Sequence, residues 1–253
     1  MIAGQRARRR VAAVAGACLL LNAPLAAADA KPKDPAGLMV HVPLDGSFKD
    51  AKALGAVRAE AEGTPAFLPG RVAEAALPGS DAALVGKLHV TRLSRLMLRG
   101  RTPAQGTIMV WCRLASAVDA AGDSAAFQVI GSDDPLALRI AVASQPLAVR
   151  ASFVDRAGAT HAISAPLADS TASEDNTPRW VHLALGWDSA AGTVTAFVAG
   201  QPLAQTNGPA YEMPGLPREF ELGNSRAAID DFRLYDRLLS PEELARLPGL
   251  SGR

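Results

Sequence analysis

RWVHLALGWDSAAGTVTAFVAG, residues 179–200, alternates between two kinds of side chain and then reverses direction. Trp180 and His182 share one parity, and Val181 and Leu183 share the other, which is the period of a β-strand whose two faces differ. The turn DSAAG, residues 188–192, supplies an aspartate acceptor and a glycine that tolerates positive φ. Residues 193–199 are rich in β-branched and aromatic side chains and predict the returning strand. Because two strands bury too little surface to be stable alone, the hairpin predicts a larger antiparallel sheet around it.

A second strand is predicted by TIMVWCRL, residues 107–114. Ile108 and Val110 begin the face that we assign to the core, whereas Met109, Trp111 and Arg113 share the other face. An aromatic beside a cation predicts that this second face is partly wet. Further short extended segments separated by turn signals fill residues 38–164, with no amphipathic helix long enough for a crossover between parallel strands. This spacing favours a β-sandwich.

The segment LLSPEEL, residues 238–244, predicts one short C-terminal helix. Ser240 is a favoured N-cap residue, and a proline follows it at the first helical position. Glu242 and Glu243 then place two negative charges in the first turn, where the helix dipole favours them. The predicted fold class is therefore all-β, closed by this helix.

Residues 1–30 have the three parts of a secretory signal peptide: four arginines within residues 6–10, an apolar run over residues 11–21, and an Ala-x-Ala site at residues 28–30. The apolar run is too short for a transmembrane anchor. We expect an exported protein, periplasmic or extracellular, with a flexible lead-in at residues 31–37 and one domain at residues 38–253. A twin-arginine route and a lipidated Cys18 are the alternatives.

The charge of the predicted mature chain argues against nucleic-acid binding. Removing residues 1–30 takes four arginines and one aspartate from 26 basic and 25 acidic residues, which leaves a net charge of −2. Nucleic-acid binding requires a clear positive excess. One cysteine, Cys112, remains and cannot form an internal disulfide, so the stability must come from a core that about 220 residues can supply. We interpret Cys112 as a small buried apolar residue rather than a reactive thiol.

The order of several segments resembles the laminin-G-like jelly rolls of the concanavalin A-like lectin/glucanase superfamily. These segments are PLDGSFKD, GRVAEAAL, GTIMVWCRL, RWVHLALGWD with GTVTAFVAGQPL, and ELGNSRAAIDDFRLYDRLLSPEEL. The resemblance covers nearly all of residues 38–247. It implies two antiparallel sheets of six or seven strands packed face to face, one concave and one convex, with the last strand beside the first. Phe197-Val198-Ala199-Gly200 stands where relatives often have Tyr-Val-Asp-Gly, so a hydroxyl and a carboxylate are missing there.

Catalysis of glycosidic cleavage, which the superfamily includes, needs two carboxylates about 5 to 10 Å apart across a sugar ring. The Glu-x-Asp-x-x-Glu strand motif that would supply them is absent. The acid clusters at residues 133–134, 174–175 and 242–243 are adjacent pairs, whose side chains point apart in strands and turns. No Gly-x-Ser-x-Gly or His-x-x-x-His motif occurs either. We therefore predict no catalytic residues.

A structural calcium ion is a second implication of the resemblance. The positions that match the relatives' ligands are Asp45, Asp50 and Asp231, with Asp230 adjacent. Calcium takes six to eight oxygen ligands, which these acids and backbone carbonyls can supply. The alternative is that Asp45 caps a local turn while Asp230 pairs with an arginine such as Arg233.

A glycan-binding surface would need an aromatic platform and polar groups that read hydroxyls. On the expected concave sheet, five residues of two strands can form such a patch: Met109, Trp111, Arg113, Trp180 and His182. The alternatives are that the tryptophans belong to the core and that His182 is a hydrogen-bonded sheet residue.

The sequence thus predicts an exported, non-catalytic jelly-roll module that recognises a glycan or an extracytoplasmic protein. A polysaccharide-active hydrolase or lyase and a structural component of the cell envelope are the alternatives that remain open.

Overall fold

The predicted hairpin is present in the computed structural model of the chain. The model describes residues 34–47, 52–53, 58–62, 66–77, 87–91, 103–113, 123–129, 138–144, 147–167, 180–213, 219–223 and 228–247. Asp188 Oδ1 accepts hydrogen bonds from the backbone N–H groups of Ala190 and Ala191, at 3.1 and 3.0 Å. Gly192 has φ +69°. The turn therefore forms for the reasons that its sequence indicated.

Sixteen strands and one helix are formed by the described residues. The first eight strands are β1 (Leu38–Val42), β2 (Lys52–Ala53), β3 (Arg58–Glu62), β4 (Ala66–Pro69), β5 (Glu74–Leu77), β6 (Lys87–Thr91), β7 (Gln105–Arg113) and β8 (Asp123–Val129). The others are β9 (Leu138–Ser144), β10 (Leu147–Val154), β11 (Thr160–Pro166), β12 (Trp180–Asp188), β13 (Thr193–Val198), β14 (Gln201–Asn207), β15 (Glu219–Gly223) and β16 (Ala228–Tyr235), followed by the helix α1 (Pro241–Ala245).

The strands form two antiparallel sheets, which confirms the predicted fold class. The first sheet has the order β14-β13-β12-β7-β16-β1-β2, and the β4–β5 hairpin pairs with β16. The second has the order β11-β10-β9-β8-β15-β6-β3. The last strand lies beside the first strand, as the resemblance implied, with Val42 opposite Phe232. The first sheet has nine described strands, more than the six or seven expected.

The two sheets pack through one apolar core. Ile108, Val110 and Cys112 from β7 belong to the same cluster as Val149 and Phe153 from β10. Full burial of a side chain of this size contributes about 1.5–3 kcal/mol. Cys112 is buried and free, and burial raises the pKa of its thiol to about 12. It is therefore an apolar core residue, as interpreted, because the reactive thiolate is strongly disfavoured.

A second, smaller apolar cluster covers part of the opposite face of the first sheet. Met109, Ala184, Phe197 and Tyr235 of the sheet pack against three leucines from the C-terminal segment, which are Leu239, Leu244 and Leu247. The first sheet is therefore buried on both faces here. Met109 is therefore buried, and the expectation of a partly wet face is wrong at this position.

Helix α1 begins as its sequence predicts. Ser240 Oγ accepts from the Glu243 N–H at 3.3 Å, and the Glu243 carboxylate accepts from the Ser240 N–H at 3.0 Å. This reciprocal capping box satisfies two backbone donors that have no partner within the helix. Arg237 also donates to both carboxylate oxygens of Glu243, at 2.8 and 2.5 Å. The cap therefore fixes the segment whose leucines cover the sheet.

Strand β14 was not predicted from the sequence. It extends the hairpin by one strand through a tight turn in which Ala199 and Gly200 have φ +51° and +78°. Its residues are mostly exposed, because it lies at the edge of the sheet, and so they lack a buried alternation that would identify it. Residues 94–98, which belong to the extended segments predicted between residues 38 and 164, lie outside the described residues. No described helix has the length and apolar character needed to cross a bilayer.

Candidate functional site

The five residues of the predicted glycan patch lie on one face of the first sheet. Strand register places Trp111 opposite His182 on β12 and opposite Asp230 on β16. Arg113 lies opposite Trp180 in the next row. Side chains of directly paired residues project to the same side. We call this surface, with Met109, the outer face, because it is opposite the core between the sheets.

Most of the outer face is closed in the structure. Trp111, His182 and Met109 are fully buried. The guanidinium carbon of Arg71 lies 5.3 Å from the Trp111 ring centroid, and His182 meets the same ring edge-on at 5.2 Å. Trp111 therefore does not present an exposed ring on which a sugar can stack, which corrects its assignment to a partly wet face.

Trp180 and Arg113 are the half-buried part of the predicted patch. The Arg113 guanidinium carbon lies 6.0 Å from the centroid of the Trp180 ring. This distance is at the outer limit of a cation–π contact. An aromatic ring and a cation are therefore adjacent here, and their role in glycan binding stays a prediction.

Unpaired polar atoms concentrate on the outer face. Trp111 Nε1, both ring nitrogens of His182, and Asp230 Oδ1 are buried and have no hydrogen-bond partner among the described residues. His182 is thus a sheet residue, as interpreted, but neither nitrogen of its ring has a hydrogen-bond partner in the part of the chain that the structure describes. Burial lowers the pKa of His182 to about 4, because the charged form would lose its hydration.

Asp231 lies at a bulge in β16 and is held by two basic side chains. Its φ of +49° accompanies an extra residue between Asp230 and Arg233 relative to β7. Asp231 Oδ1 lies 2.7 Å from His41 Nε2 and accepts from Arg233 Nε at 3.0 Å. Burial alone would raise the pKa of Asp231, but the hydrogen bond to His41 and the Arg233 guanidinium outweigh it and lower the pKa. Arg233 also pairs with Asp34.

Asp230 is held by backbone amides instead. Its Oδ2 accepts from the N–H groups of Arg71 and Val72, at 2.7 and 2.8 Å. A Cβ at Gly70 would lie 2.6 Å from this oxygen, so the close approach requires glycine. Burial raises the pKa of Asp230 to about 7 despite the two amide hydrogen bonds. The expected pairing of Asp230 with Arg233 is wrong, because the bulge gives that partner to Asp231.

The implied calcium site lies only partly within the described residues. Asp231 Oδ1 faces His41 and Arg233, whereas its Oδ2 is buried and has no hydrogen-bond partner among the described residues. Asp45 Oδ1 accepts from the Glu74 N–H at 3.3 Å, and Asp50 lies outside the described residues. Within the described ranges, no three His, Cys, Asp or Glu residues are grouped so that they could hold a metal ion. Calcium therefore stays a prediction, with Asp45, Asp230 and Asp231 as its described candidate ligands.

One cleft among the described residues was not predicted. It has a volume of about 600 Å³ and is lined by Asp155, Arg156, Ala157, Ala210, Tyr211 and Glu212. We call it the Tyr211 cleft. The sequence signal was weak, because the two segments are more than 50 residues apart and neither contains a ligand-binding motif. Tyr211 had only the character of an aromatic in a connection rich in glycine and proline.

Among the predicted acid pairs, residues 133–134 and 174–175 lie outside the described residues. Glu242 and Glu243 are in the first turn of α1, as predicted. A hydrogen bond from Arg237 lowers the pKa of Glu243 to about 2, and one from Ser240 lowers that of Glu242. Both carboxylates are therefore ionised acceptors of a helix cap, which is unsuited to general acid chemistry at neutral pH.

Known proteins resemble the chain at two levels. A laminin G family model of the concanavalin A-like lectin/glucanases superfamily matches residues 91–245. No curated protein matches the chain.

Solved structures share the fold. The binding domain of botulinum neurotoxin DC in complex with rat synaptotagmin II is 12% identical, with a TM-score of 0.64 over 82% of this chain and 50% of that chain. The same domain in complex with SialylT is 12% identical, with a TM-score of 0.66 over 83% and 50%. The binding domain of Paraclostridial Mosquitocidal Protein 1 is 15% identical, with a TM-score of 0.60 over 82% and 51%. The chain spans about half the length of these structures.

Proposed function

The chain belongs to the laminin G group of the concanavalin A-like lectin/glucanases superfamily, and on that premise we propose that it is an exported, non-catalytic module that binds a glycan or a protein surface. Its solved neighbours are binding domains, and two of them are complexes, one with rat synaptotagmin II and one with SialylT. At 10–15% identity this likeness concerns the fold. We therefore extend to this chain the class of function, which is binding, and not the particular ligands of these domains.

The arrangement of the described carboxylates is the observation that carries the non-catalytic part. Asp155, Asp188, Asp231 and Glu243 each accept hydrogen bonds within the fold, and each has a lowered pKa. A glycosidase needs one acid with a raised pKa facing a second carboxylate across an open groove. These four acids instead act as acceptors for turns, a bulge and a helix cap.

Asp230 is the observation that favours the rival reading of a polysaccharide hydrolase or lyase. Its pKa of about 7 suits a general acid, and Asp231 is adjacent. However, Asp230 is fully buried and its Oδ2 is occupied by two backbone amides. A sugar ring cannot reach the buried carboxylate, so we assign Asp230 a structural role in the sheet.

Export rests on residues 1–30 and on nothing in the described structure. The test is expression of the full chain, fractionation of the cells and determination of the N-terminus of the exported product. Cleavage after Ala30 is the expected result. An N-terminus at a lipid-modified Cys18 would support the lipoprotein alternative, and an uncleaved cytoplasmic chain would contradict export.

Binding is tested in two arms, with the protein that is purified after expression of the full chain. An array of neutral and acidic glycans tests glycan recognition, and crosslinking on intact cells followed by mass spectrometry tests protein recognition. We expect saturable binding in at least one arm. Trp180→Ala, at the half-buried end of the outer face, tests whether that face contributes. A chain that binds nothing in either arm, or that releases sugar products from the array ligands, would contradict the proposal.

A further inference from the structure

We propose that the Tyr211 cleft binds a neutral saccharide unit, with the Tyr211 ring as the stacking surface and with Arg156 and Glu212 as the groups that bind hydroxyls. This inference rests on the proposed binding function and specifies the ligand class and the site. The cleft is a shallow depression, open to solvent, and its volume of about 600 Å³ is enough for one saccharide unit.

One wall of the cleft is a fixed turn between β10 and β11. The N–H of Asp155 donates to the carbonyl of Ala159 at 2.9 Å, and the N–H of Ala159 donates back to Asp155 Oδ1 at 2.8 Å. Asp155 Oδ2 lies 2.9 Å from His161 Nε2. The hydrogen bond from His161 lowers the pKa of Asp155. Asp155 is therefore an ionised structural acceptor that shapes the turn, and both its oxygens are already in use.

The opposite wall holds Tyr211, whose ring is tilted by 40° and 45° against a stacked pair of rings from β10 and β11. Phe153 and His161 lie opposite each other on β10 and β11 and are stacked at 4.8 Å between centroids. The Tyr211 ring lies 4.4 Å from His161 and 5.3 Å from Phe153. Its hydroxyl donates to the Thr193 carbonyl at 3.0 Å. The phenol is thus positioned before any ligand arrives, and its partly exposed ring is what it can offer to a ligand.

A pre-positioned aromatic ring suits a saccharide for a physical reason. The C–H face of a pyranose is apolar, and it packs on a ring without needing a hydrogen bond from the hydroxyl of the tyrosine. Because Tyr211 loses little conformational freedom on binding, the contact keeps most of its favourable free energy. A peptide anchor would need a deeper apolar pocket, and the other apolar lining of the cleft is only Ala157 and Ala210.

Arg156 and Glu212 bridge the two walls and carry the polar groups. The Arg156 N–H donates to the Glu212 carbonyl at 2.9 Å, which joins the walls through the backbone. The side chains form an ion pair at 2.8 Å, with 67 and 71% of their surfaces exposed. An exposed pair of this kind contributes about 0–1 kcal/mol, so it can open at low cost. Guanidinium donors and carboxylate acceptors then match the mixed character of a sugar hydroxyl.

The charge of the lining selects a neutral saccharide over an acidic one. Two lining carboxylates, Asp155 and Glu212, face a single lining guanidinium, that of Arg156. A uronate or sialate would have to compete with Glu212 for Arg156 and would lie near both carboxylates. Placing like charges close together disfavours binding. The cleft is therefore suited to hexoses and N-acetylhexosamines without a carboxylate.

The test uses calorimetry on the protein purified after expression of the full chain and on its variants. It compares the binding of neutral oligosaccharides with the binding of matched oligosaccharides that contain uronate or sialate. Tyr211→Leu removes the stacking surface and should weaken the binding of neutral oligosaccharides about 3- to 10-fold. Arg156→Ala and Glu212→Gln, both at exposed positions that tolerate change, should each weaken it about 5-fold or more. Tyr211→Phe keeps the ring and should retain most of the affinity. Glu242→Gln on α1 is the matched surface control and should bind as the original chain does.

The outcomes separate this inference from the proposed function. Glycan binding that Tyr211→Leu, Arg156→Ala and Glu212→Gln all leave unchanged would overturn the cleft assignment and leave the binding module intact. Tighter binding of the acidic series would do the same. Binding of a protein together with no binding of any glycan would also overturn it and leave the module intact. If Tyr211→Leu loses its thermal transition, Arg156→Ala and Glu212→Gln decide the question, because neither side chain packs in the core.

Discussion

Replacing Asp230 with asparagine should stabilise the protein at alkaline pH and leave its stability almost unchanged at acidic pH. Asparagine retains an oxygen that accepts from the N–H groups of Arg71 and Val72 and removes the negative charge. Burial raises the pKa of Asp230 from 3.8 to about 7. Between these two values the folded chain holds a proton that the unfolded chain has released, so the contribution of Asp230 to stability falls as the pH rises through this window.

The size of the effect follows from the shift. Each pKa unit corresponds to 1.36 kcal/mol. A rise of about three units means that Asp230→Asn should increase the free energy of unfolding by at most about 4 kcal/mol at pH 8. The assay is urea unfolding of both proteins from pH 4 to pH 8 in the presence of a chelator. The difference between them removes the contributions of groups that titrate alike in both. A variant that is destabilised equally at every pH would refute the reasoning, because it would mean that the carboxylate is solvated or neutralised.

The same pair of proteins tests calcium. If Asp230 Oδ1 is a ligand, millimolar calcium should stabilise the original chain and not Asp230→Asn, because the asparagine lacks the charge that the ion would neutralise. Equal midpoints for the original chain with calcium and with chelator would remove Asp230 from the candidate ligands.

Three further substitutions test the packing of the first sheet and the cap of α1. Burial lowers the pKa of His182 from 6.5 to about 4, so the unfolded chain takes up the proton first as the pH falls. The original chain should therefore gain roughly 3 kcal/mol of stability between pH 4 and 6.5, and His182→Asn should lack this gain in urea titrations. A difference between the two proteins that is the same at every pH in this range would mean that the ring is hydrated. Gly106→Ala should cost about 1–3 kcal/mol in urea unfolding, because its Cβ would lie 2.0 Å from Trp187; a neutral variant would show that the ring can shift. Ser240→Ala should cost about 1 kcal/mol through loss of the N-cap, and an unaltered thermal midpoint would show that the capping box is dispensable.

The fold was predictable where local chemistry and burial agree. The strands β12 and β13 follow from alternation of side chains, and the turn between them follows from Asp188 and Gly192. The start of α1 follows from Ser240. Strand β14 could not be predicted in this way, because an exposed edge strand has no buried side to alternate with.

The candidate site was predictable only in part. Period two correctly placed Met109, Trp111 and Arg113 on one face. It could not show that the C-terminal leucines cover one end of that face or that Arg71 lies over Trp111. These contacts join segments far apart in the chain. The exchange of partners between Asp230 and Asp231 depends on a single bulge, which shifts the register by one residue and has no sequence signal of its own.

The Tyr211 cleft shows a similar limit for binding residues. Its walls come from a turn between two strands and from a connection that follows β14. His161 had no ligand spacing in the sequence, and its partners Phe153 and Asp155 become visible only through the pairing of β10 with β11. The cleft is determined by pairing between distant segments, which cannot be inferred from the alternation of side chains or from composition.

We propose that the chain binds its ligand without cleaving it. The most direct measurement incubates the purified protein with polysaccharides and determines, in one sample, the bound fraction and the chain length of the polysaccharide. We predict a bound fraction that rises with protein concentration and a chain length that stays constant. New reducing ends or unsaturated products, absent from a sample with heat-denatured protein, would contradict the claim.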